Sequence, residues 1–143
     1  MPGRNEPLLE FAQAALLCEI HTVVCLAEWD ELHQKSPEYA KLVESNTAAW
    51  IQLLFPIPDF SVPTDKRKFL VFSRTCADEI EAGRRILIHC GAGIGRTGTL
   101  AALVLMHLSV PLTAALRSVK AAGSHPETPQ QYALVEWAAT QLA

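Results

Sequence analysis

A cysteine and an arginine frame a stretch with almost no side-chain chemistry, RILIHCGAGIGRTGTL at residues 85–100. Cys90 follows an apolar run, and Arg96 opens a helical pattern. The glycines of GAGIG allow the backbone to curl tightly and to turn successive N–H groups inward. Such a cup of amide donors suits a dianion, which Arg96 could clamp with its planar guanidinium. The stretch therefore predicts a phosphate-binding loop.

The same loop should activate the thiol. A helix that begins near Thr97 would add the positive end of its dipole at this point. A thiol in such surroundings has its pKa lowered to ~3.5–7.5, which makes it a thiolate nucleophile at neutral pH. A purely structural reading, with Cys90 as a buried strand-end thiol and the glycines as a turn, leaves Arg96 unexplained. A Walker-type nucleotide loop is excluded because GxxxxGK[ST] is absent.

The segment HCGAGIGRTG resembles the HCxxGxxR[S/T] signature of the protein tyrosine phosphatases, and the chain length is similar to that of their compact dual-specificity or atypical branch. The resemblance implies a phosphomonoester hydrolase for phosphotyrosine, and also for phosphoserine or phosphothreonine, with a phosphocysteine intermediate. It implies catalytic roles for Cys90, Arg96 and Thr97, whose hydroxyl would help the sulfur leave or would simply cap the helix. His89 would organise the loop. The implied phosphate ligands are Gly91, Ala92, Gly93, Ile94, Gly95 and Arg96.

Cleavage of a phosphate ester also requires an acid for the leaving oxygen. The proline-rich segment FPIPDFSVPTD supplies Asp59 about 30 residues before the cysteine. Its IPDF resembles the general-acid loop of small atypical dual-specificity phosphatases, so Asp59 is the predicted acid. Asp65 is the second candidate, although it also suits the start of a helix.

A second loop, SHPETPQQY at 124–132, resembles the family segment that positions the hydrolytic water. The corresponding residues are Glu127, which replaces the usual glutamine, and Gln131. A competing interpretation makes Thr128, Pro129 and Gln131 the N-cap, N1 and N3 positions of a capping box. Both interpretations of Gln131 remain open at the level of sequence.

Short apolar runs alternate with helical patterns along the chain. This alternation predicts an α/β fold with a small central, mainly parallel sheet flanked by helices on both faces. The predicted strands are 21–27, 50–57 and 85–89, and the predicted helices are about 6–19, 29–46, 65–82, 97–108, 111–122 and 129–142. The helix at 65–82 should bury one face, formed by Phe69, Phe72, Cys76 and Ile80.

A chain of 143 residues predicts a single phosphatase catalytic domain, 1–143. Family members carry a strand before the first helix, whereas this chain begins almost at that helix, which predicts a sheet smaller by one edge strand or a truncated start. The net charge of −3 and the lack of a basic stripe disfavour nucleic acid as a partner. No apolar run reaches the ~18–20 residues of a membrane span, and the first twenty residues, which include Glu6, Glu10 and Glu19, lack the layout of a secretory signal. The expected compartment is the cytoplasm.

The expected partners are phosphorylated proteins or peptides, with phosphate or related oxyanions as inhibitors of the loop. No metal or other cofactor is expected, because Arg96 and the amides neutralise the phosphate. The alternatives are a phosphoinositide phosphatase, an RNA 5′-triphosphatase and a phosphate-binding pseudophosphatase. The first two are disfavoured because the loop contains no lysine. All four cysteines are expected as reduced thiols, and Cys25 is the best candidate for a disulfide with Cys90.

Overall fold

Three parallel strands form the centre of the protein, for which a computed structural model describes residues 1–143. Helices lie on both sides of this sheet. Along the chain the elements are α1 (Leu8–Leu17), β1 (Ile20–Cys25), α2 (Trp29–Lys35), α3 (Pro37–Ser45), β2 (Ile51–Leu54), α4 (Lys66–Glu81), β3 (Arg85–His89), α5 (Gly95–His107), α6 (Leu112–Ala121) and α7 (Pro129–Leu142). No helix is both long enough and apolar enough to cross a membrane.

The sheet has the strand order β2-β1-β3, with β1 in the middle. Val23 and Val24 point to opposite faces of β1, and both are fully buried, as a strand covered on both sides requires. The register places Cys25 opposite Leu54 on one side and opposite His89 on the other. Because all three strands run in the same direction, the segments that follow them meet at one edge of the sheet.

Helix α5 is the centre of the larger hydrophobic core. Its side chains Leu100 and Leu103 are fully buried, and it packs between the sheet and the helices α4, α6 and α7. A smaller core on the other face joins Cys25 to the helices α2 and α3 through Leu32 and Tyr39. The predicted α/β fold with a small parallel sheet between helices is therefore confirmed.

The predicted helix at 29–46 is two helices in the structure. Helix α2 ends at Lys35, and α3 begins at Pro37, which has no N–H to continue the preceding helix. Ser36 between them has a φ of −154° and a ψ of 74°, outside the helical region, as expected for a residue before proline. Both helices contribute to the smaller core through Leu32 and Tyr39, and α2 begins close to the carboxyl end of β1 because it follows that strand directly in the chain.

One further boundary and one core residue differ from the prediction. Strand β2 ends at Leu54 instead of residue 57, because Pro56 and Pro58 have no N–H to donate; Phe55 and Ile57 still donate to backbone carbonyls of the segment that begins at Cys25. The prediction of Ile80 as a core residue of α4 was wrong, since its side chain is 36% exposed at the end of that helix.

Candidate active site

The loop from Cys90 to Ile94 joins β3 to α5 at the carboxyl edge of the sheet. Gly93 has a φ of 78°, a left-handed conformation that glycine adopts without strain. Gly95 begins α5 two residues earlier than predicted, and a Cβ at this position would collide with the carboxylate of Glu127. The glycines thus allow the loop to turn and allow a neighbouring loop to approach it closely.

Cys90 is 2% exposed and receives several hydrogen bonds at its sulfur. The hydroxyl of Thr97 donates to Sγ at 3.2 Å, and the backbone N–H groups of Thr97 and Gly93 also point to it. Burial by itself would raise the pKa of this thiol, but these donors together with the charge of Arg96 hold the pKa below its ordinary value. The hydroxyl of Thr97 therefore faces the thiol and does not cap the helix.

Arg96 lies beside the thiol with a side chain only 1% exposed. Its Nη1 donates to Glu31 Oε2 and to the carbonyl of Ile57, each at 2.8 Å. Its Nη2 donates to Glu31 Oε1 at 3.0 Å and lies 3.0 Å from Asp59 Oδ1. Its Nε is buried and has no hydrogen-bond partner. A buried N–H without an acceptor is costly, so this edge of the guanidinium is suited to an oxyanion ligand.

The two candidate acids occupy different places. Asp59 follows β2 on a loop, is half exposed, and approaches Nη2 of Arg96. Asp65 is the N-cap of α4, where its carboxylate accepts from the backbone N–H groups of Arg67 and Lys68. The structure therefore brings Asp59 to the phosphate loop and uses Asp65 as a helix cap.

Gln131 is fully buried and connects three segments. Its Oε1 accepts from the N–H of Glu127 at 2.7 Å, and its Nε2 donates to the carbonyl of Ser61 at 3.1 Å. Thr128 caps α7 by accepting from the N–H of Gln131. The predicted capping box is thus half formed, because the reciprocal bond goes to Glu127 and not to the N-cap residue. Glu127 itself lies exposed against Gly95, at the end of the phosphate loop.

His89 is buried behind the loop and lies 2.8 Å from the hydroxyl of Tyr39 through Nε2. Its Nδ1 lies 3.2 Å from the carbonyl of Cys90. Burial lowers the pKa of His89 to about 4, against a smaller opposing effect of the Cys90 carbonyl, so the ring is neutral at pH 7. A neutral ring satisfies both contacts if Nδ1 donates to the carbonyl and Nε2 accepts the single hydroxyl proton of Tyr39, which is then not donated to Gln52 Oε1, 3.1 Å away. This arrangement fixes the backbone at the start of the loop.

Comparison with known proteins agrees with this geometry. A family model described as the PTP-SAK, or Swiss Army Knife, DSP-PTPase phosphatase domain matches residues 4–136. The chain belongs to this DSP-PTPase family. The predicted resemblance to compact dual-specificity phosphatases is thereby confirmed.

Individual relatives of this DSP-PTPase domain share parts of its sequence or its fold. Tyrosine-protein phosphatase 1 of Caenorhabditis elegans is 33% identical over 84 residues, which cover 55% of this chain and only 7% of that protein. The crystal structure of Tk-PTP in the active form is 27% identical with a TM-score of 0.78, and the match covers 99% of this chain and 88% of that one. Kinase-associated phosphatase, with a serine at its catalytic cysteine, has the same fold, with a TM-score of 0.82 at 21% identity and coverage of 99% and 84%.

Glu31 is the residue of this site that the sequence analysis missed. It lies in the first turn of α2, its side chain is 13% exposed, and Lys35 Nζ donates to its Oε1 at 2.8 Å. Burial by itself would raise the pKa of Glu31, but hydrogen bonds from Arg96 and Lys35 lower it to about 2. The only available signal was that a buried arginine needs a carboxylate partner, and this requirement does not say which acid of the chain provides it.

We expect Glu31→Gln to weaken both the fold and catalysis, because Arg96 would keep its charge without a carboxylate to neutralise and orient it. The free energy of unfolding at pH 7 should fall by about 2–4 kcal/mol, measured with denaturant. The kcat/KM for p-nitrophenyl phosphate should fall by about 10–100-fold. Glu28→Gln, an exposed change just before the same helix, is the control and should cause neither loss.

The pH dependence of stability tests whether ionised Glu31 stabilises the fold. The pKa of Glu31 in the folded protein is about 2, below the ordinary 4.5, so its contribution is complete above pH 4.5 and is lost as the pH falls towards 2. Between pH 4.5 and 2, the free energy of unfolding, measured with denaturant, should therefore fall less for Glu31→Gln than for the wild type. Equal slopes in the two proteins would contradict the assignment of Glu31 as the partner of Arg96.

Proposed function

We propose that this DSP-PTPase domain, residues 1–143, hydrolyses phosphotyrosine in proteins and peptides through a phosphocysteine intermediate. The observation that carries the proposal is the buried, unpartnered Nε of Arg96 beside a thiol with a lowered pKa. The first is a place for a phosphate oxygen, and the second is a nucleophile that is more readily ionised than an ordinary cysteine. Phosphorus bound to this edge of Arg96 would be held next to Sγ.

In the first step, the amides of Gly91, Ala92, Gly93, Ile94 and Gly95 and the Nε–Nη2 edge of Arg96 bind the phosphate. Asp59, which now lies 3.0 Å from Nη2, must give up this contact to the entering oxygen. The thiolate of Cys90 then attacks phosphorus, an S–P bond forms, and the bond to the tyrosine oxygen breaks. Protonated Asp59 donates its proton to that oxygen.

In the second step, water attacks the phosphocysteine and the S–P bond breaks. Asp59 accepts the proton of the water, and the hydroxyl of Thr97 stabilises the departing thiolate through the bond that it already makes to Sγ. Gln131 holds the loop of Asp59 and the loop of Glu127 together through its two amide contacts. Glu127 places a second carboxylate at the loop, where it could share the proton transfer.

The surroundings of the loop favour phosphotyrosine. Phe60 is 62% exposed next to Asp59, and with Ile94 it offers apolar contact for an aromatic ring. Within the loop, Ala92 and Ile94 provide no cation for the additional phosphates of an inositol or an RNA 5′ end. We propose phosphorylated proteins as partners, oxyanions as inhibitors, no nucleic acid and no metal. We also propose the cytoplasm as the compartment, because all four cysteines are free thiols.

A side-by-side substrate panel tests this function. Phosphotyrosine peptides should give the highest kcat/KM, phosphothreonine and phosphoserine peptides lower values, and phosphoinositides the lowest, all in the presence of EDTA. Cys90→Ser should abolish turnover while it still binds phosphopeptides, since a hydroxyl is hardly ionised at neutral pH. A fully folded wild-type protein that binds these peptides but turns none of them over would be a pseudophosphatase, contrary to the proposal.

The role of Asp59 can be tested with aryl phosphates of graded leaving groups. Asp59→Asn should lower kcat strongly for poor leaving groups and little for good ones, because only poor leaving groups need the proton. Asp65→Asn is the matched control, and its kcat relative to the wild type should not depend on the leaving group. An equal loss across the series would make Asp59 a structural residue, and a parallel dependence in Glu127→Gln would show that both carboxylates donate protons.

A further inference from the structure

Two cations from distant segments lie against Gly91, directly beside the nucleophile. Arg4 Nη1 donates to the carbonyl of Gly91 at 2.9 Å. A Cβ at Gly91 would meet the carboxylate of Glu31 first, and it would lie 3.0 Å from Lys35 Nζ and 3.2 Å from Arg96 Nη2. The loop contains no cation except Arg96, and the fold places Arg4 and the Lys35–Glu31 ion pair at this end of it.

Arg4 is the less neutralised of the two cations. It is exposed, and no carboxylate lies within 4.0 Å of its guanidinium, while one nitrogen is used by Gly91. Lys35 is paired with Glu31, which also holds Arg96. The other acid of the segment, Glu6, accepts from the N–H of Gly3. The remaining N–H groups of Arg4 are therefore available to an acceptor from outside the protein.

The position of Arg4 is fixed by its neighbours. Pro2 is buried, and its carbonyl accepts from the hydroxyl of Ser36 at 2.7 Å, in the break between α2 and α3. The bond to Gly91 holds the side chain of Arg4 from the other end. A cation that is ordered before binding loses less conformational entropy when it binds an anion.

We propose that Arg4 forms a second anion subsite that selects phosphotyrosine peptides with an acidic residue next to the phosphotyrosine. This inference rests on the proposed function and narrows its substrate class. A flanking Asp or Glu carboxylate would accept from the free N–H groups of Arg4 while the phosphate occupies the loop. A phosphoinositide fits less well, because its neighbouring phosphates would need cations inside the loop, where Ala92 and Ile94 stand.

The test measures binding in the Cys90→Ser background, so that its outcome does not depend on turnover. Two phosphotyrosine peptides differ only in the flanking residues, which are Asp in one and Asn in the other. Fluorescence anisotropy at low ionic strength should show that the Asp peptide binds about three- to tenfold more tightly. Arg4→Gln should reduce this ratio to about one, although Gln can still donate to Gly91. Arg4→Glu should instead favour a third peptide with flanking Lys.

Arg117→Gln provides the matched control, because Arg117 is an exposed arginine on α6 and its loss changes the net charge equally. The Asp-to-Asn ratio should persist in this variant and should decrease with added salt. A ratio near one with Arg4 present, or an equal loss in Arg117→Gln, would overturn the subsite. Tighter, Arg4-dependent binding of a bisphosphorylated inositol headgroup would overturn the peptide assignment. An Arg4-dependent ratio in a wild-type protein that turns over no peptide would retain the subsite and reject the phosphatase function.

Discussion

The ion pair between Arg96 and Glu31 is the interaction on which the site depends. A guanidinium that is 1% exposed keeps its charge, so burying it is costly unless a carboxylate lies close by, and Glu31 supplies one in two-point contact with Nη1 and Nη2. The carbonyl of Ile57 takes the other proton of Nη1. These contacts leave Nε without a partner, and they leave one side of Nη2 to Asp59, which lies 3.0 Å away. The ion pair thereby determines which edge of Arg96 is left for a ligand.

The parallel sheet makes this ion pair possible. Glu31 follows β1, Asp59 follows β2 and Arg96 follows β3, so their segments meet only because the three strands end at the same edge. Additional bonds tie these segments to one another: Gln131 connects the loop of Asp59 to that of Glu127, and Tyr39 holds His89 behind the thiol. The site is therefore assembled from the ends of the strands and fixed by a few buried polar side chains.

Local chemistry could be predicted from the sequence, and long-range pairing could not. The phosphate loop is specified by consecutive residues, so Cys90, Arg96 and the intervening glycines were evident before the structure. Glu31 and Arg4 are separated from that loop by more than fifty residues, and nothing in their own neighbourhoods distinguishes them from surface charges. The helix break at Pro37 had a local signal that was overlooked. The sequence allowed two interpretations of Gln131, as a capping residue and as a residue of the site. In the structure its N–H donates to the N-cap Thr128, and its side chain contacts the loop that carries Asp59.

The central claim is that the thiolate of Cys90 attacks phosphorus while Arg96 holds the phosphate. The most direct measurement is rapid acid quench of the enzyme during turnover of p-nitrophenyl phosphate, followed by mass spectrometry of its peptides. The account predicts a single phosphoryl group on Cys90, absent in Cys90→Ser. Steady turnover with no phosphoryl group on Cys90, or with the group on another residue, would contradict it.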